Sequence, residues 1–285
     1  MSTLSLLLVW CTQSTTTQED VETVFEENHD NDMLAKESQS ALDSQMVWEP
    51  STTLALLAPE NEIDIVTERV EYTPWVEWFL AYPQDDPDAP WVVLIHERRW
   101  LNEHIEDMAR VVAMQGYRAL AVDLYDGVVA EEFEQARTLS SSLDQEAATA
   151  NLLDAEEYLR TSSPKVASLG RCMGGKQSLQ LSLASDSLDS TVIYYGMLET
   201  NPTLLESINQ PVLWIFAEND NGIPPSSVAA FEQWLDEAWV EQFDLTIYEG
   251  VDHAFANPTW RNFAQEETID AWNATLEFLD RTLMN

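Results

Sequence analysis

At 285 residues and 45% hydrophobic content, the chain is long enough for one large α/β domain or two small ones. Acidic residues outnumber basic residues by 51 to 13, and the formal net charge of -38 argues against nucleic acid or an anionic membrane surface as a partner. Its two cysteines, Cys11 and Cys172, are too few for a disulfide framework or a cysteine-rich zinc site, so no metal is expected.

The first eleven residues resemble the end of a bacterial lipoprotein signal. An apolar run over 4–10 ends at Cys11, and a polar, Thr-rich segment follows. This pattern predicts export and a membrane tether through lipidation of Cys11. Two features argue against it, because no Lys or Arg precedes the run and Trp10 stands where a small residue is usual. The alternative is a cytoplasmic tail with a chance apolar patch, and the run is too short for a transmembrane helix.

Residues 12–62 are predicted to form an acidic linker. They are rich in Asp, Glu, Ser and Thr, and their few apolar residues show no clear period. A short helix is expected over Met33–Leu42, and His29 should be solvated. The folded domain is therefore expected to span 63–285.

From residue 63 onward, strands and helices alternate along the chain. The predicted strands are 66–72, 76–81, 91–95, 119–123, 166–169, 191–195, 212–216 and 243–248. The predicted helices are 102–115, 130–138, 143–161, one that starts near 175, 226–237 and 265–283. The first two strands should form a hairpin. The later alternation predicts a single α/β domain, with a mostly parallel, doubly wound sheet and helices on both faces.

The most informative stretch is an apolar strand, Val166–Leu169, followed by Gly170-x-Cys172-x-Gly174-Gly175 and a helix. The chain must reverse sharply between strand and helix, and glycine permits this because a Cβ would clash. This strand-turn-helix unit is the nucleophile elbow of α/β-hydrolases, with Cys172 at its apex. A helix N-terminus favours an anion, so a thiolate nucleophile is predicted. The alternative is a small buried cysteine without a chemical role.

A cysteine nucleophile needs a base, and the chain offers four histidines: His29, His96, His104 and His253. In the order nucleophile, acid, histidine that α/β-hydrolases follow, His253 alone comes after Cys172, in a loop behind a predicted strand. His96 also follows a strand and could line the cleft. His104 is expected to be exposed on its helix.

The base needs an acid to orient it. Asp220 closes a predicted strand and lies between Cys172 and His253 in the chain. Glu218 and Asp252 compete on proximity alone, and a loop aspartate is often only a turn former. The order of the three residues favours Asp220.

The ordered set of motifs resembles the dienelactone hydrolase family, which has the α/β-hydrolase fold. The matching pieces are Ile95-His-Glu97, Gly116-Tyr117, Asp123-Leu-Tyr125, Gly170-x-Cys172-x-Gly174-Gly175, Tyr194-Tyr195-Gly196, the Asp220 loop and His253-Ala-Phe255. The resemblance implies a catalytic triad made of Cys172, Asp220 and His253. It also implies that Glu97 contacts the nucleophile and helps control its ionisation. The implied oxyanion hole consists of the backbone N–H groups of Arg98 and Met173.

The substrate cannot be carried over with the fold, because two positions depart from the family pattern. Trp100 stands where the family often has glycine, and Asn257 stands where characterised members use an arginine for the substrate carboxylate. Arg98, Arg99 and Arg171 could replace that arginine and bind an anionic substrate, since they lie in the loops around the nucleophile. The alternative is that these arginines pair with neighbouring acids.

These residues predict a monomeric enzyme that hydrolyses a small carboxylic ester or lactone without a cofactor. Two tyrosines in the matching pieces, Tyr125 and Tyr195, are expected to contact the substrate. Two other classes stay open. One is a non-catalytic binding protein on the same fold, and the other is a redox protein that uses Cys172 as a peroxide-sensitive thiol.

Overall fold

The computed structural model describes residues 51–60, 63–73, 76–99, 101–128, 130 and 132–284. Four features of the sequence lie outside these residues: Cys11, His29, the helix predicted over Met33–Leu42, and Trp100. The lipidation of Cys11 and the character of the segment before residue 51 therefore stay predictions.

Eight strands form one sheet. In chain order they are β1 (Ile65–Thr73), β2 (Val76–Pro83), β3 (Trp91–Ile95), β4 (Arg118–Val122), β5 (Val166–Arg171), β6 (Ser190–Tyr194), β7 (Val212–Ala217) and β8 (Phe243–Tyr248). Their order in the sheet is β1-β2-β4-β3-β5-β6-β7-β8. The β1–β2 hairpin is antiparallel and pairs antiparallel with β4, whereas the remaining neighbours are parallel. The predicted mostly parallel sheet with its N-terminal hairpin is confirmed.

Helices cover both faces of this sheet. In chain order the described helices are α1 (Ser51–Leu57), α2 (Glu103–Met114), α3 (Phe133–Ser141), α4 (Gln145–Arg160), α5 (Met173–Ala184), α6 (Pro202–Leu205), α7 (Pro225–Glu237) and α8 (Gln265–Leu283). Each predicted helix of the domain is found: the last one has the predicted ends, 265–283, and the others have one or both ends shifted by one to three residues. Helices α1 and α6 were not predicted, because such short segments carry too few turns to show a helical period.

Side chains that alternate along the central strands separate the two faces. Val92 and Leu94 of β3 pack in one cluster with α2 and α8, whereas Val93 and Ile95 pack in another with α4. All four are buried. The strand therefore reads as a continuous apolar run, as parallel strands covered on both faces do.

The folded region begins before residue 63, where the linker was predicted to end. Helix α1 lies inside the predicted linker, yet Leu57 is only 4% exposed and shares a cluster with α2 and α8. The Gln115 side-chain amide also donates a hydrogen bond to the Leu57 carbonyl oxygen at 3.3 Å. The boundary is thus corrected, and the folded domain includes the segment from Ser51.

Candidate active site

The candidate nucleophile stands on a sharp turn between β5 and α5. Cys172 has a φ of 53°, which strains the backbone of a residue other than glycine. Gly170 and Gly174 cannot be replaced by larger residues without a steric clash. A Cβ on Gly170 would lie 1.9 Å from the Gly174 carbonyl oxygen, and one on Gly174 would lie 2.2 Å from the Ile95 carbonyl oxygen. Helix α5 begins at Met173 rather than near 175.

Three side chains from separate loops meet at the carboxyl ends of the strands. The Nε2 atom of His253 lies 3.2 Å from the Cys172 Sγ, and its Nδ1 lies 2.6 Å from the Asp220 Oδ2. Asp220 Oδ1 accepts backbone N–H groups of the loop that follows it, from Gly222 and Ile223. These bonds fix the carboxylate, so it can hold the imidazole in one orientation.

The two competing acids lie elsewhere. Glu218 accepts a hydrogen bond from the backbone N–H of Gly250 at 2.8 Å and therefore braces the loop before His253. Asp252 precedes His253 in the chain, but the carboxylate in contact with the imidazole is that of Asp220.

The charges around His253 favour its protonated form. Burial disfavours an imidazolium, but the Asp220 carboxylate and the sulfur of Cys172 outweigh it and raise the pKa of His253 to about 10. A positive imidazolium beside Sγ stabilises a thiolate. The arrangement can therefore supply a charged nucleophile and a proton donor at neighbouring atoms.

Backbone strain continues on both sides of the triad. Tyr195, at the end of β6, has a φ of 35°, and Ala254, next to His253, has a φ of 63°. The Tyr195 ring packs edge-on against the His253 ring, with the centroids 5.0 Å apart. Strained backbone of this kind persists where the surrounding structure holds it, and it clusters at functional sites.

Glu97 lies in the loop after β3 and is almost completely buried. The Asn257 side-chain amide donates a hydrogen bond to its Oε2. Burial raises the pKa of Glu97, although Arg171, Asn257 and His253 all favour its ionised form. Asn257, the position where the resemblance would place an arginine, thus contacts the carboxyl group that is expected to control the nucleophile. No motif or spacing in the chain predicts this hydrogen bond.

The loop that carries Arg98 and the start of α5 border the nucleophile together. The Tyr125 hydroxyl donates a hydrogen bond to the Arg98 carbonyl oxygen at 3.1 Å and so supports that loop. Met173 is the first residue of α5, where backbone N–H groups have no partner within the helix. These are the elements that the predicted oxyanion hole needs.

Cys172 opens onto a cavity of about 530 Å³. Tyr195 and Arg98 line it near the nucleophile, and its charged wall residues also include Lys176 and Glu199. Its apolar wall residues include Leu143, Met173, Leu179, Met197, Leu198, Ile223 and Trp234. Sequence reasoning missed Lys176, although its position one helical turn after Cys172 could have revealed it.

Arg171 and Arg99 are not in the large cavity. Arg171 is 3% exposed, donates a hydrogen bond to the Ala256 carbonyl oxygen at 3.0 Å, and stacks over the Tyr194 ring at 4.9 Å. Arg99 is exposed and lies over the Trp260 ring at 5.4 Å. The expectation that Arg171 binds substrate is therefore corrected, because its side chain belongs to the core behind the nucleophile.

Tyr125 and His96 are also buried away from the large cavity. The Tyr125 ring packs edge-on against the His96 ring, with the centroids 4.7 Å apart. His96 Nδ1 donates to the Glu97 carbonyl oxygen, while Nε2 accepts the backbone N–H of Leu124. Both side chains donate hydrogen bonds to backbone carbonyl groups of the loop after β3 and so stabilise that loop. The expectations of substrate contact for Tyr125 and a cleft position for His96 are thus corrected.

The described residues contain no cluster of three or more His, Cys, Asp or Glu that could hold a metal ion. None of the helices in the described ranges is long and apolar enough to cross a membrane.

The architecture defines the class of protein. A nucleophile elbow at the carboxyl edge of a doubly wound sheet, with a histidine and an acid on later loops, is that of an α/β-hydrolase. The model of the dienelactone hydrolase family matches residues 76–283. The chain belongs to the dienelactone hydrolase family, and it is a hydrolase of ester or lactone bonds.

Similar proteins cover most of the same region. Carboxymethylenebutenolidase 1 of Cupriavidus pinatubonensis is 30% identical over 215 residues, which span 70% of this chain and 89% of that protein. Protein usf of Aquifex pyrophilus is 27% identical over 222 residues, which span 73% of this chain and 94% of that protein. A dienelactone hydrolase-like promiscuous phosphotriesterase from metagenomic libraries aligns with a TM-score of 0.69 at 20% identity, over 76% of this chain and 98% of that one. The last similarity shows the shared fold.

Proposed function

We propose that this protein cleaves a small carboxylic ester or lactone through an acyl-enzyme on Cys172, without a cofactor. The observation that carries the proposal is the 3.2 Å contact between Cys172 Sγ and His253 Nε2 at the wall of the large cavity. A nucleophile within hydrogen-bond reach of a base that a carboxylate orients is the arrangement that covalent catalysis requires.

In the first half-reaction, the Cys172 thiolate attacks the carbonyl carbon, and the backbone N–H groups of Arg98 and Met173 stabilise the oxyanion. The intermediate collapses as the His253 imidazolium protonates the leaving alkoxide, which leaves a thioester on Cys172. In the second half-reaction, His253 takes a proton from water and the oxygen attacks the thioester. The carboxylic acid product then leaves, and the thiolate and imidazolium form again.

Glu97 controls the nucleophile in this proposal. Its protonated carboxyl group could donate a hydrogen bond to a thiolate, whereas its carboxylate would repel one. Burial raises the pKa of Glu97, while neighbouring positive charges favour its ionised form. The charge of Glu97 therefore affects how readily Cys172 ionises.

The proposed substrate is anionic. Arg98 and Lys176 line the large cavity with one acid, Glu199, although the whole chain carries a net charge of -38. A local excess of positive charge in so acidic a protein would guide a carboxylate toward the nucleophile. The name carboxymethylenebutenolidase of one relative supports a lactone as the reacting group.

We also propose that the protein acts as a monomer that is exported and held at a membrane through lipidated Cys11. The support is the apolar run that ends at Cys11 and the polar segment after it. The native protein should fractionate with membranes, and Cys11→Ala should release it. An unprocessed Met1 N-terminus on protein from the soluble cytoplasm would refute this.

Hydrolysis of p-nitrophenyl acetate tests the catalytic proposal. Cys172→Ala and His253→Ala should each reduce turnover to the background rate while thermal unfolding still shows a folded protein. Cys11→Ala is the matched control, because it removes the other cysteine and should keep full turnover. A wild type that binds esters without cleaving them would indicate a binding protein. Peroxide consumption that Cys172→Ala abolishes would indicate a redox thiol.

A further inference from the structure

Helix α1 lies outside the region that defines the family. The family model begins at residue 76, whereas α1 spans Ser51–Leu57. Its Thr53 is nevertheless only 2% exposed, and Leu57 belongs to the core cluster that α2 and α8 share. Helix α1 thus packs next to α2, the helix that follows the Glu97 loop, although it lies outside the matched region.

Thr53 makes a buried hydrogen bond that fixes the ring of His104. The Thr53 Oγ1 lies 2.9 Å from the His104 Nδ1. Burial, followed by the positive charge of Arg171, lowers the pKa of His104 to about 3, so the ring is neutral at ordinary pH. A neutral imidazole carries one N–H. If the Thr53 hydroxyl donates to Nδ1, the ring proton lies on Nε2.

His104 and Glu97 both line a second, small cavity that also borders Cys172. His104 Nε2 and Glu97 Oε1 are buried, and neither atom has a hydrogen-bond partner in the part of the chain that the structure describes. The cavity measures about 20 Å³, which is enough for one water molecule. A water there could accept from the Nε2–H group and donate to the carboxylate oxygen, and buried polar groups normally find such partners.

We propose that α1 is a positioning element of the active site. In this proposal Thr53 holds His104 as its Nε2–H tautomer, and His104 and Glu97 together bind one ordered water behind Cys172. The water site and the tautomer do not depend on the proposed catalytic function. Their effect on the reaction rests on the role proposed above for Glu97.

The effect of the water on the pKa of Glu97 must be compared with the effects of the other groups that face this carboxyl group. Those that titrate or carry charge are Arg171 at the end of β5, Cys172 at the elbow, Tyr195 after β6, His253 after β8, Arg98 and Arg99 in its own loop, and His104 on α2. Arg171 and His253 favour a carboxylate at Glu97. A hydrogen bond from the water would act in the same direction, because it stabilises the charged form.

The tautomer is tested by nitrogen-15 NMR of the histidines in the full chain. In wild type, the His104 ring should be neutral with its proton on Nε2. Thr53→Val removes the hydroxyl group that contacts Nδ1 and should therefore change the His104 signals. Thr53→Ser, which keeps the hydroxyl, should restore them. Thr52→Val is the matched control, because Thr52 is exposed on the same helix. A proton on Nδ1 in wild type, or identical spectra for wild type and Thr53→Val, would overturn the proposal.

A high-resolution crystal structure tests the water, and infrared spectroscopy tests its effect on Glu97. The water should lie within hydrogen-bond distance of Glu97 Oε1 and His104 Nε2, and a cavity without it would refute the site. The carboxyl band of Glu97, identified by its loss in Glu97→Gln, should titrate up to about one pH unit higher in Thr53→Val. An unchanged titration would refute the coupling between α1 and Glu97.

The pH dependence of kcat/KM then separates this inference from the proposed function. If Glu97 controls the nucleophile, the kinetic profile of Thr53→Val should move together with the infrared titration, and Thr53→Ser should reverse both. A shift in the infrared titration with an unmoved kinetic profile would support the water site and contradict the role of Glu97. A folded protein without esterase activity, but with the expected spectra, would contradict the proposed function alone.

Discussion

Asp220→Asn is the sharpest single test of the triad, because the structure dictates how the new amide must sit. Asp220 Oδ1 accepts the backbone N–H groups of Gly222 and Ile223, so the amide oxygen must take that place. The amide NH₂ group then faces His253 Nδ1. That nitrogen must accept a hydrogen bond, which moves the ring proton to Nε2, opposite Cys172 Sγ. The imidazole would be held in the wrong tautomer to act as a base.

The expected loss of activity follows from the charge that Asp220 supplies. Asp220 helps to raise the pKa of His253 from 6.5 to about 10 against the effect of burial. The rise from 6.5 to about 10 corresponds to about 5 kcal/mol of stabilisation of the imidazolium, since one pKa unit is worth about 1.4 kcal/mol, and Asp220 shares this effect with the sulfur of Cys172. Not all of this energy acts in the rate-limiting step. We therefore expect kcat/KM to fall on the order of 10²- to 10⁴-fold.

The assay is p-nitrophenyl acetate hydrolysis across a range of pH. In wild type the imidazolium persists until the pH rises through about 10, whereas in Asp220→Asn it loses its proton at lower pH, so the loss should grow as the pH rises. Glu218→Gln is the matched control, because that carboxylate binds the Gly250 N–H group and not His253. An Asp220→Asn enzyme close to wild type, or an equal loss in Glu218→Gln, would refute the assignment.

Three further predictions concern the elbow, the substrate and the stability. Gly170→Ala should destabilise the fold by roughly 3 kcal/mol or more in urea unfolding, because its Cβ would lie 1.9 Å from a backbone oxygen. Lys176→Gln should lower kcat/KM about tenfold for an ester with a free carboxylate but not for its neutral analogue, since one charge-assisted hydrogen bond is lost. The free energy of unfolding should decrease as the pH is lowered, because His104 binds a proton near pH 6.5 in the unfolded chain but only near pH 3 in the folded protein. From about pH 8 to about pH 5, wild type should lose about 2 kcal/mol more than His104→Gln.

Each of these predictions has its own control. Gly116→Ala adds a Cβ with nothing within 4 Å, so only its positive φ opposes it, and an equal loss there would contradict the steric argument. Equal kcat/KM of wild type for charged and neutral esters would contradict an anionic substrate, and Glu199→Gln should strengthen the preference for the charged ester. Parallel stability curves for wild type and His104→Gln would show that His104 is not kept neutral by burial.

The fold was predictable because its signals are local. Apolar runs mark the covered strands, and the close approach of Gly170 to the Gly174 carbonyl group lies within a few residues of the chain. The meeting of Cys172, Asp220 and His253 is a long-range feature, yet the order of the loops along the sheet was enough to anticipate it. A residue at the carboxyl end of a parallel strand reaches the same edge wherever it lies in the chain.

The positions of other side chains were not predictable because they depend on distant partners or on local direction. His104, which was expected to be exposed, is buried and forms a hydrogen bond with Thr53, 51 residues earlier in the chain. Arg171 adjoins Cys172 in the chain, which suggested a place in the cleft. It is the last residue of β5, however, and successive side chains of a strand point to opposite faces, so nearness in sequence did not mean nearness to the substrate.

The carboxyl groups of Asp220 and Glu97 illustrate how one site assigns different roles to the same chemical group. Asp220 accepts hydrogen bonds from two backbone N–H groups and from His253, and all three favour its ionised form. The side chains of Asn257 and Trp260 favour the ionised form of Glu97, but burial outweighs them and raises its pKa. A fixed charge suits the orientation of a base, whereas a carboxyl group that can change its charge suits the control of a nucleophile. Backbone N–H groups hold the Asp220 carboxylate in place, whereas burial opposes a charge on Glu97, and this difference in surroundings separates the two roles.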